Sequence, residues 1–172
     1  MEDSTQTPNS LKIGATFGLY SGLIAIVVFL MVSFLGYNPF GGGFNYIGSV
    51  ASIVLLVLAH KKFKDSGDGF MSYGQGIGIG FWFTLVSALL AILVMYIYIN
   101  FIDYNPMQLM LDDQLAKMEE SGTSEEAIET AVSWTKKLFW VFAVIGGLVG
   151  GMIIALLVTI FTQKKNPDPF NG

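Results

Sequence analysis

Apolar residues gather in three windows that contain no Asp, Glu, Lys or Arg: residues 13–59, 69–102 and 138–163. A charged side chain at mid-bilayer costs roughly 2.5–3.5 kcal/mol on insertion scales, so uncharged apolar stretches of this length read as membrane spans. About 20 such residues cross the hydrocarbon core as a helix. The stretch 13–35 meets that length. Tyr37-Asn38-Pro39-Phe40, followed by Gly41, Gly42 and Gly43, interrupts the first window, because proline and consecutive glycines favour turns. A second, short span is therefore predicted over 44–59, thinning the bilayer locally or starting within the glycine run. The segment HKKFKDSGD at 60–68 reads as a charged turn. A third span follows over 73–102 and a fourth over 138–161, closed by Lys164 and Lys165.

Polar residues between the third and fourth spans repeat differently. Within 103–137, Met107, Met110, Leu111, Leu115 and Met118 recur at helical spacing, which predicts one apolar helix face. Pro106 suits a first helical position, with Asn105 as N-cap. Asp113 and Lys117 form a favourable i,i+4 pair. Ser121-Gly122 ends this helix, and Thr123 with Glu126 has the spacing of a capping box that starts another. No breaker precedes Gly146, so the second helix is predicted to run into the fourth span, with Trp134 and Trp140 near the membrane interface.

The fold class that follows is an all-α membrane protein. Its four transmembrane helices lie within residues 11–163, with an extracytoplasmic acidic helical hairpin, 103–137, between spans three and four. A disordered cytoplasmic tail is expected at 1–10 and a second cytoplasmic tail at 164–172. Orientation comes from the lysines of short loops. With both termini cytoplasmic, Lys12, Lys61, Lys62, Lys64, Lys164 and Lys165 lie inside, against Lys117, Lys136 and Lys137 outside. The N-terminal twelve residues, with two acids before the first Lys, make a poor cleavable signal, so the first span is read as retained.

Composition agrees and narrows the choices. Of 172 residues, 53% are hydrophobic and 13% charged, well to the apolar side of a globular domain. The net charge of −4, with much of the acid between Asp103 and Glu129, argues against nucleic acid, which calls for a basic face. Without Cys there is no disulfide, thiolate metal site or Cys nucleophile. No motif calls for a cofactor or metal. The hairpin methionines could suit a soft metal, but with no Cys or His beside them they read as flexible apolar filler.

Within the spans, small residues stand at intervals of four. Gly14, Gly18 and Gly22 share a face of the first span. Gly74, Gly76, Gly78 and Gly80 alternate at the start of the third, and Gly146, Gly147, Gly150 and Gly151 form two offset pairs in the fourth. Such stripes let backbones approach where no hydrophobic effect drives association. They serve packing within a subunit or contact with a homo-oligomeric or other membrane-protein partner, and spacing alone does not choose. The run from Gly74 to Gly80 is not a nucleotide loop, lacking GxGxxG spacing and a βαβ setting. Gln75 reads as a helix–helix or interface residue. His60, the single histidine, reads as a flanking interface residue beside Lys61; pH sensing is its sharper alternative.

The charged turn leading into Met71-Ser-Tyr-Gly-Gln-Gly76, the third span ending Tyr98-Ile-Asn-Phe-Ile-Asp103, and Gln114-Leu-Ala-Lys-Met-Glu-Glu-Ser-Gly122 followed by Ser124-Glu-Glu-Ala-Ile-Glu129 together resemble a bacterial membrane family known as domain of unknown function 4199. The resemblance covers nearly the whole chain except its tails. It implies a bacterial inner-membrane location and carries no functional residues.

Function is bounded by what is missing. Ion-coupled and proton-coupled carriers usually place ionisable side chains inside the membrane, and these windows have no acid or lysine to offer. An intramembrane enzyme would need an HExxH, a His–carboxylate cluster or a Ser–His pairing; none is legible, so no enzymatic activity is expected. A structural, assembly or accessory role is expected first, with the acids Asp112, Asp113, Glu119, Glu120, Glu125, Glu126 and Glu129 forming a partner-binding face. The plainer reading of those acids is a solvated surface. The alternative function is a small oligomeric transporter or channel for a neutral solute.

Overall fold

The computed structural model describes residues 8–41 and 43–167, with the backbone alone at Asn45. Five α-helices account for almost all of it: α1 (Ser10–Phe34), α2 (Phe44–Asp65), α3 (Tyr73–Ile97), α4 (Asn105–Glu120) and α5 (Glu125–Thr162). A π-helical turn, Tyr98–Ile102, extends α3. Among the described residues there is no strand, only an isolated antiparallel bridge between Met71 and Lys164. Four helices are long and apolar enough to cross a membrane: α1, α2 from Tyr46, α3 with its π turn, and α5.

Local chemistry explains the ends. Asn9 caps α1 through its side chain, accepting from Lys12 N–H at 3.1 Å. Gly36, at φ +75°, closes α1 with two reverse bonds, Gly36 N–H to Ser33 O and Tyr37 N–H to Val32 O. Gly122, at φ +72°, closes α4 the same way, with Thr123 N–H reaching Met118 O. Both positions need left-handed backbone, which glycine adopts without steric cost.

Three capping details differ from expectation. The helix α4 begins at Asn105, and the side chain that receives a free N–H is Asp103, whose Oδ1 accepts from Asn105 N–H at 2.9 Å. The extended backbone of Asp103 lets its short side chain reach forward two residues. The Thr123–Glu126 capping box does not form: Ser124 is the N-cap of α5 and makes no side-chain cap bond, while the Thr123 hydroxyl pairs with Ser121 Oγ. A capping box appears instead at Ser72, which accepts from Gln75 N–H while Gln75 Oε1 accepts from Ser72 N–H. Gln75 therefore serves its own helix end rather than a neighbouring helix.

The expected charged turn at 60–68 is mostly helix, since α2 continues through the lysines to Asp65. Of the tail expected at 1–10, residues 1–7 lie outside the described residues and Ser10 already opens α1. Of the tail at 164–172, residues 168–172 lie outside them.

Packing is uneven. The helix α1 lies most extensively on α3, α3 on α5 and α1 on α2, whereas α2 meets α5 and α3 only sparsely. Glycines set the tight contacts. A Cβ on Gly18 would fall 2.5 Å from Phe83 O, and one on Gly14 would collide with Ile79 O. Gly76 and Gly80 admit Thr159 and Ala155 of α5 equally closely. Two apolar clusters result. One joins Leu56, Ala59, Phe63, Met71, Ile79, Phe83 and Ala155, and the other joins Phe29, Tyr98, Ile99, Met107 and Leu111 at the opposite end.

Candidate functional site: a docked acidic hairpin, a histidine clasp and an interior cavity

The hairpin is tied to the bundle end by the apolar face of α4. Met107 and Leu111 are each 4% exposed and sit in the cluster around Phe29 and Tyr98, with Met110, Phe40, Phe139 and Trp140 packed against it. Burying a side chain of this size is worth about 1.5–3 kcal/mol, enough to hold a short helix flat. Rings lock the same end: Phe29 meets Tyr98 edge-on at 5.5 Å, Phe40 meets Phe139 at 5.3 Å, and Trp140 meets Tyr96 at 5.0 Å. Met107 and Met110 thus fill apolar space.

A polar tie completes the docking. Asn38, in the α1–α2 loop, donates from Nδ2 to Asp113 Oδ2 at 2.6 Å, and its Oδ1 accepts from Phe40 N–H. The remaining acids face away: Asp112, Glu119, Glu120, Glu125, Glu126 and Glu129 are exposed, as is Asp113 itself. Trp134 is also exposed, with Lys137 Nζ over its ring at 5.7 Å.

Glycines flagged by spacing fall into different environments. Gly14, Gly18 and Gly22 all lie against α3, and Gly151 lies against Thr84. Gly147 sits in ordinary contact with Ala88 and Ile92, and Gly78 with Ser10. Gly74, Gly146 and Gly150 face open space. Within the fourth span, one small-residue pair therefore serves the bundle and the other points outward.

At the opposite end, His60 corrects its reading as an interface residue. It is fully buried, with 0% exposure. Nε2 lies 3.1 Å from Gly76 O of α3, and Nδ1 lies 2.7 Å from Thr162 Oγ1 of α5. A carbonyl only accepts, so Nε2 must carry a hydrogen. The Thr162 hydroxyl has one hydrogen to share between Nδ1 and Val158 O, 2.8 Å away. A neutral ring takes that hydrogen at Nδ1; a charged ring gives its own to Thr162, which then turns to Val158. Lys64 Nζ donates to Thr162 O at 2.8 Å and reinforces the seam. The physical reason for the burial is helical phase: Leu56, Ala59, His60 and Phe63 fall at i, i+3, i+4 and i+7, the spacing of a core stripe, and all four are buried. That signal was present in the sequence, masked by the neighbouring lysines.

Between these ends lies a cavity of about 350 Å³ shared by all four long helices, with Ala25, Ser52, Leu56, Thr84, Ala91 and Gly147 among its walls. Ser52 bonds Ser21 across α1 and α2 at 2.8 Å. No charged side chain lines it. Among the described residues there is no group of His, Asp or Glu placed to hold a metal.

Fold and site together define an all-helical protein with four helices apolar enough to span a membrane and an acidic α-hairpin packed on one end. The chain matches, over residues 16–164, the family described as protein of unknown function (DUF4199), and it belongs to that family. No curated protein and no solved structure matches it.

Proposed function

We propose that this chain is a multi-pass protein of a bacterial inner membrane, with both termini cytoplasmic, acting as a non-enzymatic structural, assembly or accessory component. In this reading the hairpin stands on the extracytoplasmic face and presents Asp112, Glu119, Glu120, Glu125, Glu126 and Glu129 to a basic partner protein. One observation carries it: α4 spends its apolar side on the bundle, so its acids Asp112, Glu119 and Glu120 are held on a fixed surface rather than on a loose loop, and Glu125, Glu126 and Glu129 stand on the first turns of α5 around the buried Ile128. Charge displayed on a rigid support steers association and sets partner choice. The bilayer is the other partner, and no nucleic acid is involved.

Affinity capture from native membranes tests this, comparing the full chain with a variant carrying Glu119→Gln, Glu120→Gln, Glu125→Gln, Glu126→Gln and Glu129→Gln. These side chains are exposed, so the variant keeps the docked apolar face. Loss of a defined partner is expected; an unchanged set of captured proteins contradicts the reading.

A second reading, a small oligomeric transporter or channel for a neutral solute, is favoured by the uncharged cavity among the four helices. The outward pair Gly146 and Gly150 would then supply the contact between copies. Flux of neutral solutes into proteoliposomes is its measurement, and no flux across a broad panel removes it.

A further inference from the structure

At the His60 end of the bundle the lysines are put to different uses. Lys64 Nζ is committed to Thr162 O at 2.8 Å, and Lys164 Nζ stands over the Phe70 ring at 5.1 Å. Lys12, in the first turn of α1, and Lys62, in the last turn of α2, instead share the wall of one groove of about 410 Å³ between these two helices. Its rim is firm: the segment before α1 lies so close to the α2–α3 loop that a Cβ on Gly67 would fall 2.9 Å from Pro8 Cγ. No carboxylate lines the groove. The nearest acids in sequence lie elsewhere, since Asp68 accepts from Phe70 N–H and Asp65 is exposed outside the lining. Among the described residues neither Lys12 nor Lys62 is in an ion pair.

Neutral donors add to the two ammoniums. Asn9 Oδ1 already accepts from Lys12 N–H, which leaves its amide hydrogens, and Ser66 adds an exposed hydroxyl. Two ammoniums and no acid call for an anion rich in acceptor oxygens, and lysine binds phosphate as a point charge. The other half of the groove is apolar. Ile13 and Phe17 line it and pack from behind on the Leu56–Phe83 cluster. Phe17 follows Lys12 by about 7.5 Å along the axis of α1, so this floor enters the uncharged window that begins at Ile13.

From this we infer that the groove binds an anionic phospholipid at the membrane edge, its phosphate between Lys12 and Lys62 and the start of an acyl chain over Ile13 and Phe17. Basic pockets between spanning helices hold anionic head groups in this way. A soluble phosphate would satisfy the lysines and leave the apolar floor uncovered, so the lipid matches the whole groove. The inference rests on reading the helices as membrane spans, and on neither the orientation nor the hairpin's partner.

Native mass spectrometry of the full-length protein, released from a neutral detergent, tests this. Titration with phosphatidylglycerol is expected to give one saturable lipid, bound about tenfold more tightly than phosphatidylcholine with the same acyl chains. Lys12→Gln with Lys62→Gln is expected to erase that preference, and Lys12→Arg with Lys62→Arg to keep it. Both side chains are exposed, so thermal unfolding stays unchanged in either pair. Lys61→Gln with Lys165→Gln removes the same charge from exposed positions outside the groove and is expected to leave the preference intact. Equal losses in the two Gln pairs would reduce the effect to the general positive charge of this end and overturn the assignment. Displacement of the lipid by an equal concentration of inorganic phosphate or glycerol 3-phosphate would make this a site for a soluble anion and overturn it too. A chain that does not enter lipid vesicles removes the membrane-spanning reading and this inference with it; a chain that enters them and shows no headgroup preference removes this inference alone.

Discussion

Asn38 donates to the Asp113 carboxylate at 2.6 Å across 75 residues of chain. The bond joins the loop between α1 and α2 to the solvent-facing side of α4, so the hairpin is fastened by a polar tie above its apolar contact. Charge-assisted bonds are shorter and stronger than neutral ones, yet this one is exposed and partly screened. Asn38→Ala is expected to loosen α4 by about 1 kcal/mol. Amide hydrogen exchange reads this directly: faster exchange in 105–120 with no change in α3 supports it, and unchanged exchange speaks against it.

Beneath that tie, Leu111 is the larger anchor. Leu111→Ala removes a buried side chain from the Phe29–Tyr98 cluster, and a cost of about 2–4 kcal/mol is expected. Limited proteolysis should then cut the 121–124 turn faster. Asp112→Asn, on the exposed side of the same helix, is expected to leave the cleavage rate unchanged.

Glycine substitutions separate inward from outward stripes. Gly18→Ala pushes a methyl into the backbone of Phe83, and overpacking of this kind costs about 1–3 kcal/mol. Gly146→Ala meets open space, so the monomer's thermal unfolding should not fall and gains at most about 1 kcal/mol from helix propensity. If copies associate through Gly146 and Gly150, the same substitution lowers the dimer fraction in detergent; an unchanged fraction removes that contact.

His60→Ala is expected to open the α2–α5 seam. It deletes a fully buried ring that bonds α3 and α5 at once, and a loss of about 2–4 kcal/mol follows from the cavity and the stranded partners. A Cys pair spanning the two helices near residues 60 and 162 should cross-link less readily in this background. Retained cross-linking and unchanged unfolding would show that the clasp contributes nothing.

The span pattern was legible because a missing charge is an unambiguous signal, and the four long helices fall where the uncharged windows stand. The hairpin's two helices and their Gly122 break were legible for the same kind of reason, a periodic face and a glycine that must turn left-handed. Which glycines pack was not. Gly74 to Gly80 contains two offset pairs with identical spacing, and only the rotation of α3 against α5 selects Gly76 and Gly80. Burial of His60 was hidden because its neighbours Lys61 and Lys62 mark a membrane edge, although its own phase with Leu56 and Phe63 places it inward.

Because the chain contains no Cys, topology can be read with single introduced thiols. Ser121→Cys lies in the turn of the acidic hairpin and Ser66→Cys at the end of α2, both exposed. An impermeant maleimide applied to intact cells should label the first and reach the second only after permeabilisation. Labelling of Ser66→Cys in intact cells with protection of Ser121→Cys would place the hairpin inside and contradict its role as an outward-facing docking surface.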